Sequence, residues 1–370
     1  MRQRTVYWLC ALILGSAAGQ VRAVEPDPCI PPDTIFALKV RPRQILTSAL
    51  VKDLGWDELF KTTLAAVGPV QEFLDTAGLR IDRDLESILW CMPSCPLVEE
   101  LEQESIIDPE TGERVVRQKS PIAGQKPAQL WLVVYRGKFN SKKITRALED
   151  HGKSAGAPLR KLKGEGATLL QMDSPLGPIF LGFEGNGKII VSNQLERLKD
   201  CLAGKYGKPS SERFLNGMDG LTDNESFWLV QAVEGELKKH MEKKVPADSG
   251  EEAMREAKSF QVCATIKDGI QGNLTIATTA PRQADSIKAA TATAMAGMEE
   301  HLAELLRELK ELETPDSPLE KAGGSVEAAI AYLGVKQGKL EVKGNNMVLQ
   351  VGADRKALDP LLKALGLSGQ

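Results

Sequence analysis

Two tight β-hairpins with the same turn residues recur in the two halves of this 370-residue chain. The first turns at Gly185-Asn186 and the second at Gly344-Asn345, and each lies between two short apolar segments. Glycine and asparagine tolerate the positive φ that such turns require, so both hairpins are strong predictions. Hairpins this short pair their strands antiparallel, which argues against a doubly wound parallel sheet.

The order of elements around each hairpin is also repeated. Each half begins with an apolar strand and a helix, continues through a strand pair and a second helix, and closes with the hairpin and a last helix. In the second half the second helix is long, 281–313. We therefore predict an α+β fold of two similar lobes that arose by internal duplication, with mostly antiparallel sheets packed against helices. The predicted bounds are 24–205 for the first lobe, 206–224 for a connector and 225–370 for the second lobe.

Local sequence signals place several helix ends. Asn140, Asn193 and Asp354 each precede a segment of helical periodicity and are predicted N-caps. The apolar spacing from Arg43 to Leu54 predicts one helix after the first strand.

An insertion at 97–128 has no counterpart in the second half. Turn residues at 108–112 separate two apolar pairs, so the segment is predicted to form a protruding β-hairpin. A two-stranded hairpin is marginally stable in water, so the apolar pairs should pack either on the protein's own surface or on a partner chain. We take the partner as the hypothesis, and the residues that would contact it are Ile106, Ile107, Val115 and Val116.

The first 23 residues have the pattern of a secretory signal peptide. Arg2 and Arg4 precede the apolar run 6–14, and small residues lead to a cleavage pattern that ends at Ala23. The alternative is a retained membrane anchor, but the run is shorter than the roughly 20 residues of a spanning helix. We expect cleavage near Ala23 and a periplasmic or secreted mature chain without a transmembrane segment.

The charge balance bears on the class of partner. Lysine and arginine number 47 against 50 acidic residues, which leaves a formal net charge of −3. A chain with no strong field of either sign is poorly suited to hold nucleic acid, so no nucleic-acid partner is expected.

Six cysteines are present, and Cys10 lies within the signal. So few cysteines in a chain of this length do not form a disulfide scaffold. Cys91 and Cys95 could close a small disulfide if Pro93 turns the chain, whereas an extended strand would hold them about 13 Å apart, beyond disulfide reach. The alternative is two half-buried thiols.

Catalytic motifs are weak. The G-x-S-x-G pattern at 152–156 lacks the preceding strand of a nucleophile elbow. The three histidines lack a second metal ligand at helical spacing. We therefore predict a non-enzymatic protein, with no catalytic, metal-binding or cofactor-binding residues.

Near the predicted start of the mature chain, the segment Pro32-Asp33-Thr34-Ile35-Phe36-Ala37-Leu38-Lys39-Val40 is followed by an amphipathic helix and later by an isolated β-β-α unit. This arrangement resembles secreted planctomycete-type bacterial proteins of uncharacterised function. The resemblance implies an extracytoplasmic, duplicated α+β protein without a known active site, and it carries over no functional residue.

Three function classes remain open at this point. The leading hypothesis is an extracytoplasmic, non-catalytic protein-binding or scaffold module. The alternatives are a binder of an apolar small molecule or lipid in a groove between the lobes, and a hydrolase with a motif-free carboxylate site. A partner-binding protein should expose an apolar patch, a ligand binder should have a deep apolar pocket, and a hydrolase should bring titratable groups together.

Overall fold

The computed structural model describes residues 25–66, 68–94, 104–107, 114–117, 130–154, 156, 158–162, 168–174, 177–244, 252–311 and 332–364. The predicted signal peptide with its cleavage site lies outside these residues, as do Cys95 and most of the 97–128 insertion.

Strands and helices follow one another along these ranges. The strands are β1 (Phe36–Val40), β2 (Leu85–Met92), β3 (Glu104–Ile107), β4 (Arg114–Arg117), β5 (Leu132–Gly137), β6 (Arg160–Leu162), β7 (Leu169–Ser174), β8 (Gly177–Glu184), β9 (Lys188–Ser192), β10 (Phe227–Ala232), β11 (Ser259–Ile266), β12 (Ile270–Ala277), β13 (Lys339–Lys343) and β14 (Asn346–Ala353). The main helices are α1 (Pro42–Leu46), α2 (Ala49–Asp53), α3 (Trp56–Ala66), α4 (Gly68–Ala77), α5 (Ile81–Asp84), α6 (Ser141–Ser154), α7 (Leu195–Leu202), α8 (Glu212–Met218), α9 (Gly235–Lys244), α10 (Pro281–Glu311) and α11 (Arg355–Ala364). Residues 332–337 are also helical. Within the described part of the chain, no helix combines the length and the apolarity that crossing a membrane would require.

Twelve strands form one antiparallel sheet, in the order β13-β14-β12-β11-β10-β1-β2-β5-β9-β8-β7-β6. The α+β class with antiparallel pairing is therefore confirmed. The two predicted lobes share this single sheet, because β1 of the first half pairs with β10 of the second, with Leu38 opposite Leu229.

The strands follow the same order on both sides of the β1–β10 pair. Counted outward, they are β1, β2, β5, β9 and β8 in one direction and β10, β11, β12, β14 and β13 in the other. The two hairpin turns join the fourth and fifth strands on each side, with Gly185 and Gly344 both at φ 60°. The last helices differ, because Leu198 of α7 packs on one face of the sheet and Leu358 of α11 packs in a cluster on the other. The duplication therefore stays a prediction.

Alternation of side chains divides the sheet into two faces, each continuous through both halves. We call the face that carries Ala37, Leu89 and Trp228 face 1, and the face that carries Leu38 and Trp90 face 2. One row of residues on face 2, here called the central row, is apolar through eleven consecutive strands. From β13 to β7 its members are Leu340, Leu349, Leu274, Val262, Leu229, Leu38, Trp90, Val133, Val191, Leu181 and Leu170.

Face 1 is buried in the middle of the sheet beneath α7, α8 and the N-terminal segment 25–34. Helix α8 lies within the predicted connector 206–224, and it starts where the Ser211 hydroxyl accepts a hydrogen bond from the Phe214 amide at 3.1 Å. Phe214 is fully buried against the sheet, together with Leu221. The connector therefore contributes to the core that joins the two halves.

Face 2 is covered by two separate groups of helices. Over the second half, α2, α9 and α10 contribute Leu50, Leu237 and Ile287 to the apolar cluster on the strands. Over the outer strands of the first half, α4 and α6 contribute Ala77 and Ile144 to another cluster. Strands β1, β2 and β5 lie between these two clusters.

Two of the three predicted caps are confirmed. Asn140 and Asp354 each accept a hydrogen bond from the amide three residues on, at 3.1 and 2.8 Å. The prediction for Asn193 was wrong, since its side chain instead accepts a hydrogen bond from the Trp131 amide at 3.1 Å and Gln194 takes the N-cap position of α7.

The single helix predicted from Arg43 to Leu54 is divided into α1 and α2. The division falls at Ser48, which is extended (φ −64°, ψ 150°) and whose hydroxyl accepts a hydrogen bond from the Val51 amide. A serine in this position begins a new helix, because it satisfies an amide that has no partner in the first turn.

The insertion contains the strand pair that its turn residues predict. β3 pairs with β4 in a two-stranded sheet separate from the main one, with Ile106 opposite Val115 and Ser105 opposite Val116. The structure describes the backbone of these strands but not the side chains of Ile106, Ile107, Val115 and Val116. A partner contact there stays a prediction.

Replacing Gly137 tests how closely the backbone of β5 approaches the start of β2. A Cβ there would lie 1.9 Å from the carbonyl oxygen of Asp84, next to an irregularity in the β2–β5 register. We expect Gly137→Ala to lower the free energy of unfolding by about 1–3 kcal/mol, because backbone must move to admit the methyl group. In the matched control Gly187→Ala, the nearest atom would be 4.0 Å away, and we expect a smaller loss. Urea denaturation measures both, and equal losses would contradict this account.

Candidate functional site

An open apolar cleft of about 500 Å³ lies on face 2 in the first half of the sheet. The side chains that line it are half-buried and uncharged at neutral pH. They are Leu38 and Val40 of β1, Ile88 and Trp90 of β2, Trp131, Val133 and Tyr135 at the start of β5 and within it, and Val191 of β9. The cleft is therefore lined by the first half and does not lie between the two halves.

The strand register places these side chains in adjacent positions. Leu38 lies opposite Trp90, Trp90 opposite Val133, and Val133 opposite Val191. These are four consecutive members of the central row, and together they form a strip across the floor of the cleft. Val40, Ile88 and Tyr135 form a parallel strip next to it.

The cleft adjoins both apolar clusters of face 2. Val40 packs against the cluster of the second half, which also includes Trp56. Tyr135 and Val191 pack against the cluster beneath α4 and α6. The cleft is thus the part of an otherwise covered apolar face that lies between the two groups.

Three aromatic side chains supply the polar side-chain atoms of the lining. Trp90 and Trp131 carry indole N–H groups, and Tyr135 carries a phenol. The Trp90 ring stands edge-on to Phe36, with centroids 5.8 Å apart and planes at 79°. Burial raises the pKa of Tyr135, so its phenol is neutral at physiological pH. The lining can therefore accept an apolar group and offer a few hydrogen bonds, without a fixed charge.

Among the described residues, Val70 is the one large apolar side chain with high exposure, at 41%. A single exposed valine does not make an interaction patch. The cleft differs because it groups eight half-buried apolar and aromatic side chains on one concave surface.

The cleft was not predicted from the sequence, although one segment carries a signal for it. Residues 131–135, Trp-Leu-Val-Val-Tyr, are apolar without interruption, which predicts a strand that needs cover on both faces. In the structure Leu132 and Val134 are fully buried on face 1, while Val133 and Tyr135 are only half-buried on face 2.

The residues singled out from the sequence lie elsewhere. Cys91 is a free thiol buried on face 1, and Cys95 lies outside the described residues, so their disulfide stays a prediction. Ser154 of the G-x-S-x-G pattern is the last residue of α6, and its hydroxyl donates to the His151 carbonyl at 2.8 Å. Within the described ranges, no three His, Cys, Asp or Glu side chains are grouped as metal ligands.

Comparisons with known proteins add little. No protein-family model and no curated protein matches the chain. A solved structure titled "Structure of crystal form I of TP0453" is similar at 8% sequence identity and a TM-score of 0.40, over 93% of this chain and 98% of that chain. A likeness at this level establishes neither a common fold nor a common function. The resemblance to planctomycete-type secreted proteins stays a prediction.

Proposed function

We propose that this protein works outside the cytoplasm as a non-catalytic binder of an apolar chain, the acyl chain of a lipid, which lies in the cleft on face 2. The observation that carries the proposal is the strip formed by Leu38, Trp90, Val133 and Val191, which is open between two helix-covered regions. The extracytoplasmic location rests on the signal pattern that ends at Ala23.

The floor of the cleft favours an acyl chain over an extended peptide. A peptide strand needs partners for its own N–H and C=O groups, and it usually finds them at an open sheet edge. The strands beneath the cleft are interior to the sheet and are paired on both sides. An acyl chain has no such need, and burying it gains about 0.8 kcal/mol per CH₂ group.

The size and chemistry of the cleft favour binding over catalysis. Its volume of about 500 Å³ is typical of small-molecule sites. A hydrolase needs an acid, a base or a nucleophile that reaches the substrate. The phenol of Tyr135 is the one titratable group among the lining side chains, and its raised pKa keeps it protonated.

A charge in the middle of the cleft tests the proposal. Val133→Glu should raise the dissociation constant of a nitroxide-labelled long-chain fatty acid by roughly tenfold or more, because desolvating a carboxylate beside an acyl chain costs more than about 1.4 kcal/mol. Binding is followed by quenching of the fluorescence of Trp90 and Trp131. Val70→Glu makes the same substitution at an exposed position on α4 and should bind like wild type.

A second variant separates charge from shape. Val191→Phe fills the cleft without adding a charge and should also weaken binding, while thermal melts establish that each variant is folded. The proposal is wrong if folded wild type does not bind the fatty acid, or if both cleft variants are folded and bind it as tightly as Val70→Glu does.

A protein partner at the insertion is the second candidate function. It is favoured by the β3–β4 sheet, which is separate from the main sheet. The insertion leaves the main sheet after β2 and returns before β5, so it connects to the sheet at the end of the cleft where Trp131 lies.

Deletion of the insertion tests this second candidate. Replacing 99–125 with a short Gly/Ser linker should leave the melting temperature nearly unchanged, because β3 and β4 pair outside the main sheet. It should also abolish capture of any protein that the full chain retains from its own cell envelope. Unfolding of the deletion variant would instead show that the hairpin belongs to the core.

A further inference from the structure

Four buried cysteines belong to one core cluster on face 1, on the opposite side of the sheet from the cleft. Cys29 lies in the N-terminal segment, Cys91 in β2, Cys201 in α7 and Cys263 in β11. Each is a free thiol that is at most 6% exposed. Cys29 and Cys201 lie near enough that each thiol shifts the pKa of the other.

Two ion pairs fix the N-terminal segment in this position. Arg136 of β5 donates to the Asp27 carboxylate at 2.7 Å, and the same oxygen accepts the Cys29 amide at 3.0 Å. Arg197 of α7 donates to both carboxylate oxygens of Asp33, at 3.0 and 2.5 Å. The ion pairs of Asp27 and Asp33 therefore hold the chain on both sides of Cys29. The partner of Asp33, Arg197, lies on the helix that carries Cys201.

We propose that Cys29 and Cys201 are an oxidisable dithiol that closes to a disulfide and ties the N-terminal segment to α7. The segment that carries Cys29 and the helix that carries Cys201 are already joined by the Arg197–Asp33 ion pair, so the two thiols need little movement to reach bonding distance. An extracytoplasmic compartment supplies the oxidising conditions under which such a bond persists. The inference does not depend on what the cleft binds.

The oxidant in this step is a disulfide, either of a small thiol or of a thiol oxidoreductase. The Cys29 thiolate attacks one sulfur of the oxidant, which gives a mixed disulfide and releases one thiolate. Cys201 loses its proton and attacks Cys29 Sγ, which forms the Cys29–Cys201 bond and releases the second thiolate. The two protein thiols together lose two electrons and two protons. The disulfide of the oxidant takes up both and becomes two thiols. Because both cysteines are buried in the folded protein, the exchange takes place during folding, as the N-terminal segment docks beside Arg136 and before the core closes over the two sulfurs.

The surroundings of the pair assign the two roles. The neighbouring Cys201 thiol lowers the pKa of Cys29, and Lys188 and Arg136 act in the same direction against burial and Asp27. An Arg136 guanidinium nitrogen lies 3.6 Å from Cys29 Sγ. The neighbouring Cys29 thiol and burial raise the pKa of Cys201, so Cys29 ionises first. Burial raises the pKa of Cys91 well above its usual value, which disfavours Cys91 as the attacking thiol.

Peptide mapping after oxidative refolding tests the assignment. The mature chain is refolded in mixed oxidised and reduced glutathione, its remaining thiols are alkylated, and the digest is analysed by mass spectrometry without reduction. We expect two thiols fewer than in the reduced protein and one cross-linked pair of peptides that contains Cys29 and Cys201. Reduction should lower the melting temperature of wild type by several degrees.

Serine variants provide the controls. In Cys29→Ser and Cys201→Ser the cross-link should be absent, and reduction should leave the melting temperature unchanged. Cys263→Ser removes another buried free thiol of the same cluster and should behave like wild type. A wild-type chain whose Cys29 and Cys201 are both alkylated after oxidative refolding would overturn the proposal, as would a cross-link from either of them to Cys91. The wild-type map decides the question even where a variant does not fold.

Discussion

β1 and β10 pair in the middle of the sheet, and their register determines what each face of the molecule carries. Ala37 lies opposite Val230 on face 1, and Leu38 lies opposite Leu229 on face 2. Neighbouring strands continue these assignments, so both faces run without a break from one half of the chain into the other. A shift of this pair by one residue would exchange the faces of one half relative to the other and divide the central row.

A continuous apolar face needs cover along its whole length, and the helices supply it unevenly. On face 2, helices of both halves cover the central row at its two ends, while Leu38, Trp90, Val133 and Val191 remain half-buried between them. Removing apolar surface from water contributes a favourable free energy of about 25 cal/mol per Å². An apolar ligand in this gap would therefore bury the part of the face that the helices leave uncovered. The binding proposed for the cleft thus follows from how the sheet is covered.

Features that short stretches of sequence determine were predicted well. The hairpins at Gly185 and Gly344 follow from turn residues alone, and the Asn140 cap follows from a side chain and an amide three positions on. Asn193 has the same local signal, but its side chain bonds Trp131, which is distant in sequence. Such competition from distant partners cannot be found in a local pattern.

The two proposed sites depend on contacts between distant parts of the chain. The run at 131–135 indicates that both faces of β5 need cover, but it does not indicate which helices reach them. The short spacing of Cys91 and Cys95 in the sequence indicates a possible disulfide between them. The structure instead places Cys29 near Cys201, although most of the first half of the chain separates the two. These pairings become visible only after the sheet order places β5, α7 and the N-terminal segment side by side.

The most direct test of this account is a crystal structure of the mature protein with a long-chain fatty acid brominated along its chain, in which anomalous scattering locates the bromine atoms. The account predicts bromine peaks on face 2 in van der Waals contact with Trp90 or Val133. Bromine peaks confined to other surfaces, with the cleft holding no ligand density at saturating fatty acid, would contradict it.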